Sequence, residues 1–252
     1  MVSFSKTDIF KSWNVGFVLD EGLANPGHEF LVFNGERSIR TLFIHFKGNA
    51  GHGSRFIKNS VGEKVTKFLQ TVYEYRRQQE LNLEAGGSCI SLGEVSTCNL
   101  TGAHGGIAYN VVPAEFELTV DFRLATDVEI SDFEAMLDDW VKQSGDDVCW
   151  RYRTPNAVLK EHSKSELNAD TNPFWRSFIS ACDKLEIETK VRIFPAAADS
   201  RHLRHMGYDC IGFSPINNTP VLLHDHDEFL NKDVYLRGIE IYEEIIKSLS
   251  SC

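Results

Sequence analysis

"AEFELTVDFRLA", residues 114–125, places Phe116, Leu118, Val120 and Phe122 at every second position, with charged or polar residues between them. That period of two is the signature of a β-strand with one buried face. Upstream, "IRTLFIHFKG" (39–48) alternates in the same way. In "NSVGEKVTKFLQTVYEYRRQQEL" (59–81), Val61, Val65, Phe68, Leu69 and Val72 fall on one helical face. "CISLGEVSTCNL" (89–100) reads as a strand. Downstream, "SDFEAMLDDWVKQSG" (131–145) opens with Ser131 and Glu134 at capping-box spacing. It carries an apolar stripe of Phe133, Met136, Leu137, Trp140 and Val141 and closes on Gly145. "VCWRYR" (148–153) is a short strand. The order β-α-β-β-α-β over Ile39–Arg153 predicts a ferredoxin-like unit, one sheet with two helices on one face.

The flanks follow a different grammar. Thr7–Trp13 ends a short helix, Val15–Leu19 of "VGFVLDEG" reads as a buried strand, and "GLANPG" is a loop. After Thr154 come a helix over about 172–185, the strand "TKVRIF", a short helix from Asp199, the strand "CIGFSP" and the closing helix "KDVYLRGIEIYEEIIKSLS". The expected architecture is an α/β domain, residues 1–37 and 154–252, interrupted by the ferredoxin-like unit at 38–153. The α/β part is thin for a complete sheet with helices on both faces.

Composition narrows the functions. The 252 residues carry a formal net charge of -10, which argues against nucleic acid as the main partner. No apolar run reaches the roughly 20 residues of a membrane span. "MVSFSKTDIFKSW" lacks the pattern of a secretory signal. The six cysteines form no C-x-x-C pair, which suits reduced thiols and a cytoplasmic location. No glycine-rich phosphate loop is present.

Several stretches hold chemistry-bearing side chains. "TPVLLHDHDE" (219–228) ends on His224, Asp225, His226, Asp227 and Glu228. In a loop only one or two of these can reach a common ion, and a plain polar turn is the competing reading. In "VLDEG", Asp20 and Glu21 close a strand where open α/β sheets place ligands. They should face opposite ways, so at most one is a ligand, and an acid ending a strand is also ordinary without function. "KGNAGHGSRF" (47–56) is a glycine-rich turn around His52, otherwise a solvated loop histidine. Asn110 precedes the strand that carries Arg123 near its end; an amide can donate to an oxyanion and a guanidinium can pair with a carboxylate, though both are common as loop and strand residues. "PAAADSRHLR" (195–204) offers Arg201 for a bidentate grip on a carboxylate. Its plainer reading is Asp199 as helix cap with a surface Arg201, and His202 and His205 as exposed helix residues.

Taken together, "GFVLDEGLANP", "GHGSRF", "GGIAYNVVPA", "DFRLATDV", "PAAADSRHLR", "GFSP" and "TPVLLHDHDE" resemble, in order, the motifs of the zinc amidohydrolases that include the aminoacylases, carboxypeptidase G, acetylornithine deacetylase and succinyl-diaminopimelate desuccinylase. The resemblance implies an α/β zinc-hydrolase domain interrupted by a ferredoxin-like lid and dimerisation domain, acting as a homodimer through residues 38–153. It implies hydrolysis of N-acyl-L-amino acids at a site with two zinc ions. By position, Glu21 and His224 resemble metal ligands. His52 resembles the lid histidine that supports the oxyanion in the partner's site, with Asn110 and Arg123 as lid residues there. Arg201 resembles the group that grips the substrate's α-carboxylate. The family's H-x-D, bridging aspartate and Glu-Glu pair have no counterpart before Glu21. The expectation is therefore a C-terminal part of such an enzyme with an incomplete α/β domain, and the alternative is a catalytically inactive dimerisation module.

Overall fold

The computed structural model describes residues 1–87, 90–154 and 162–252. The chain divides into two compact units: Met1–Glu36 with Ser163–Cys252, and Arg37–His162.

The first unit is built on a four-stranded mixed sheet. Its strands are β1 (Val18–Asp20), β2 (Phe30–Glu36), β9 (Thr189–Phe194) and β10 (Cys210–Phe213), in the order β1-β10-β2-β9. β1 runs parallel to β10 and β2 parallel to β9, while β10 and β2 are antiparallel. β2 buries both faces. Phe30 and Val32 join Ile211 and Phe213 beneath helices α4 (Pro173–Lys184) and α6 (Lys232–Leu249), whose Trp175, Phe178, Ile241 and Ile245 fill that core. Phe33 packs on Phe194 and Ala198 on the other side. Asn172 caps α4 by accepting from Trp175 N, and Pro173 occupies the first turn, where no amide hydrogen is needed.

Sequence and structure differ here in two places. The strand expected at Val15–Leu19 starts only at Val18, because Asn14 adopts a left-handed φ of 48° and turns the chain after α1 (Asp8–Ser12). β2 is not marked by alternation at all, since a strand buried on both faces is apolar without a period.

The second unit has the sheet order β5-β7-β3-β8, all antiparallel, from β3 (Ser38–Lys47), β5 (Thr97–Gly105), β7 (Glu115–Leu124) and β8 (Val148–Tyr152). With α2 (Val61–Gly86) and α3 (Ile130–Ser144) this is the ferredoxin-like arrangement. Leu42, Ile44 and Phe46 of β3 and Leu118, Val120 and Phe122 of β7 form the core with Phe68 and Val72 of α2 and Phe133, Leu137 and Trp140 of α3.

Local starts and stops depart from expectation. Of the strand expected at 89–100, Cys89 lies outside the described residues, Leu92–Glu94 form a 3-10 turn, and β5 begins at Thr97. α3 is preceded by Glu129, not capped by Ser131. The expected capping-box partner Glu134 instead accepts a hydrogen bond from the Tyr152 hydroxyl at 2.7 Å. Capping boxes of this unit are found instead at α2, where Ser60 and Glu63 bond reciprocally, and at the 3-10 turn that Ser91 opens with Glu94. A two-stranded ribbon, β4 (Gly51–His52) with β6 (Val111–Val112), extends beyond the sheet.

Among the described residues, no helix is long and apolar enough to cross a membrane.

Candidate active site

In the first unit, four of the motifs meet at the carboxyl ends of β1 and β10. Asp20 ends β1 and spends both carboxylate oxygens on backbone: Oδ1 accepts from Glu21 N at 2.9 Å, and Oδ2 from Ser200 N at 2.8 Å. The second bond caps the short helix α5 (Ser200–Arg204), which carries Arg201. Asp199, expected as that cap, makes no side-chain cap bond. With Asp20 committed to structure, Glu21 is the acid of the pair left exposed.

Gly22 N donates to the Ser214 hydroxyl at 3.0 Å, tying "LDEG" to "GFSP". A Cβ at Gly22 would fall 2.8 Å from the Phe213 carbonyl carbon, so only glycine permits this approach. Gly22, Leu23, Ser214, Leu223 and Glu228 are among the residues lining a cavity of about 390 Å³. Glu21 and His224 are the immediate chain neighbours of Gly22 and Leu223. His224 itself is exposed and holds a φ of +59°. A non-glycine residue in the left-handed region is uncommon, and here it forms the turn that follows Leu223. Asp225 and Asp227 shape that loop: Asp225 N donates to Leu222 O, the Asp225 carboxylate accepts from His226 N, and Asp227 is also left-handed.

Arg201 is half-buried, and its Nε donates to His202 Nε2 at 3.2 Å. His202 is thus half-buried rather than exposed, and burial followed by the Arg201 charge holds its imidazole below the ordinary value. His205 is exposed.

In the second unit, the ribbon brings His52 and Asn110 together. His52 registers with Val111, and Gly53 N donates to Asn110 O at 2.7 Å. His52 is therefore on a strand end rather than in an irregular loop. Its Nδ1 lies 2.8 Å from the Ser54 hydroxyl and accepts from Ser54 N at 3.2 Å. An acceptor at Nδ1 places the ring proton of the neutral imidazole on Nε2, which is then free to donate outward. Phe56, Ile107 and Tyr109, close in sequence to these two residues, are fully exposed, at 106%, 101% and 104%. Arg123 is not brought to this ribbon. It sits near the opposite end of β7, with its Nε on Asp121 Oδ2 at 2.7 Å.

Sequence reading missed Asp20 as a capping residue, Glu228 as a cavity-lining acid, and the buried pair of Glu36 and Arg204. The pattern signalled only the first, through the reasoning that Asp20 and Glu21 diverge.

Residues 34–149 match the family model of the peptidase dimerisation domain. Over its whole length the chain is similar to aminoacylase-1. It is 40% identical over 251 residues to aminoacylase-1A of Rattus norvegicus and 38% identical over 251 residues to aminoacylase-1 of Homo sapiens. In both cases the match takes in 100% of this chain and 60% of the relative, so the chain spans about three-fifths of their length. Among solved structures, the M20 family metallo-carboxypeptidase Sso-CP2 from Sulfolobus solfataricus shares the fold with a TM-score of 0.64 at 14% identity, covering 93% of this chain and 63% of that one. The resemblance read from the motifs is borne out: residues 34–149 match the dimerisation-domain model, and the chain is similar to aminoacylase-1 along its whole length.

Proposed function

We propose that this chain supplies part of the catalytic centre of a zinc-dependent hydrolase of N-acyl-L-amino acids, which yields an L-amino acid and a carboxylate. One observation carries the reading. Stretches some 200 residues apart, Gly22–Ala24 after "LDE" and Thr219–Leu223 before His224, line the same cavity.

Glu21 and His224 would hold the metal, since a carboxylate oxygen and an imidazole nitrogen are donors zinc takes. Bound zinc polarises a scissile carbonyl and makes a water acidic enough to attack at neutral pH. Arg201 pairs with the α-carboxylate of the substrate, which selects free acids over amides. His52 presents its Nε2 proton to the tetrahedral oxyanion of a second subunit, and Asn110 beside it offers an amide donor. Arg123 was a candidate for the same shared site; its bond to Asp121 favours bracing the sheet. The working form is a cytoplasmic homodimer assembled through residues 38–153.

A catalytic zinc usually takes three protein ligands, and Glu21 and His224 are two. A second reading therefore stands beside the first, in which the chain by itself is a non-catalytic dimerisation module. The match of residues 34–149 to a dimerisation domain favours it. The deciding experiment measures bound zinc and methionine release from N-acetyl-L-methionine by the purified chain. Turnover with zinc uptake that falls in Glu21→Ala and His224→Ala supports catalysis; a stable dimer with no turnover and zinc uptake indifferent to those substitutions supports the module.

A further inference from the structure

Away from that cavity, three metal-capable side chains meet beside the amino ends of β2 and β9. His28 Nε2 lies 2.9 Å from Glu188 Oε2, and His28 Nδ1 lies 3.9 Å from Glu29 Oε2. One donor atom from each residue lies within 4.8 Å of the other two. In a tetrahedral zinc site with bonds of about 2.0–2.1 Å, neighbouring donor atoms sit about 3.3 Å apart. These two contacts use opposite ring nitrogens; a single ion takes only one of them, and side-chain rotation draws the three donors in from their spread of up to 4.8 Å.

The backbone around the cluster is fixed. Phe30 N donates to Glu188 O at 2.8 Å and Phe30 registers with Thr189, which holds the residues preceding both strands side by side. Asn217 Nδ2 donates to His28 O at 2.8 Å, and Asn218 N to Gly27 O at 2.9 Å. Gly27 lies against the Glu29 carboxylate, with the position of a Cβ there 2.7 Å from the mobile Oε2 tip. The His28 and Glu188 side chains are 73% and 66% exposed, so an ion reaches them without any opening of the fold.

We propose that His28, Glu29 and Glu188 bind a divalent transition ion of the zinc or cobalt class, which clasps the starts of β2 and β9. One imidazole nitrogen with two carboxylate oxygens suits such ions, and the remaining coordination positions go to water. The proposal is independent of the proposed catalytic reading.

The test titrates zinc chloride into the 252-residue chain carrying E21A, H224A and H226A, which removes the ligands proposed for the catalytic centre and the neighbouring imidazole. One zinc should bind. Adding H28A or E188Q to that background should weaken binding roughly tenfold or more with the circular dichroism spectrum unchanged. E188Q keeps size and hydrogen bonding, so a loss there reports a ligand rather than packing. An isotherm indifferent to both changes, or no uptake at millimolar zinc, overturns the proposal.

Discussion

Arg204 Nη2 lies 2.8 Å from Glu36 Oε1, with the two side chains only 3% and 5% exposed. The same guanidinium donates to Ser200 Oγ and to Cys210 O, and the other Glu36 oxygen accepts from Ala198 N. The pair thus ties the end of β2 to β10 and to the helix that carries Arg201. Burial pushes the Glu36 carboxyl up, while Arg204 and the Ala198 N–H pull it back. Two charges this deep stabilise the fold only as a pair.

Removing one partner strands the other. Arg204→Ala should lower the unfolding free energy by about 3–5 kcal/mol, and Arg204→Ala with Glu36→Gln should regain part of that loss. The pH dependence has a definite sign. A carboxyl whose folded pKa is raised contributes stability that is present below its unfolded value and lost as pH rises through the folded one. The Arg204→Ala deficit should therefore shrink as pH falls from about 8 toward about 4.3, the ordinary glutamate value. Urea unfolding of the four variants of the cycle checks both statements; strictly additive losses would show that the pair is not coupled.

Asp20 links Glu21 and Ser200 through two backbone N–H groups. Asp20→Ala should cost about 1–2 kcal/mol, the scale of a lost helix cap or charged hydrogen bond. Asp20→Asn should fall between, because an amide can accept one of the two bonds while its NH2 faces the other donor. Amide hydrogen exchange reports this directly: Ser200 and Glu21 should lose protection in Asp20→Ala while the amides of β10 keep theirs. Unchanged exchange at Ser200 would remove Asp20 from the cap.

The cysteines divide by burial. Burial raises the Cys182 and Cys210 thiols to about 12 and Cys98 to about 11, whereas Cys149 and Cys252 are exposed. The thiolate is the reactive form. In a Cys89→Ser background, a disulfide reagent at neutral pH should therefore label Cys149 and Cys252 in the folded protein. The other three should react only on unfolding. Peptide mapping of the labelled sites decides it, and rapid labelling of Cys182 in native protein would contradict the packing of α4.

What could be read in advance follows from where each interaction lies along the chain. The alternation of β7 and β3 was visible because one face of that sheet meets the core, and Leu42, Ile44, Phe46, Val120 and Phe122 are fully buried. β2 has Phe30 and Val32 in one core and Phe33 in another, so no alternation marked it. Ser131 and Glu134 had capping-box spacing, but Glu134 is drawn to Tyr152, a competition that local spacing cannot reveal. At the candidate site, Glu21, His224, His52 and Asn110 stood out through motif order. Glu36 and the capping role of Asp20 did not, because their partners Arg204 and Ser200 are 168 and 180 residues away.

His52 gives the sharpest functional prediction. Its Nδ1 is occupied by the Ser54 N–H, so the Nε2 proton faces outward, and in the proposed mechanism it meets a developing oxyanion. In zinc-loaded protein hydrolysing N-acetyl-L-methionine, His52→Ala should lower kcat by about 10²–10³, with KM and zinc content little changed, as for a donor that acts only in the transition state. Ser54→Ala should cost far less than His52→Ala, because the backbone N–H still keeps Nδ1 an acceptor after the 2.8 Å hydroxyl contact is lost. Steady-state kinetics with metal analysis on both variants separates the outcomes. A His52→Ala protein that retains kcat would assign the ribbon to dimer contact alone, whereas a large loss in Ser54→Ala would show that the hydroxyl, not the amide, sets the tautomer.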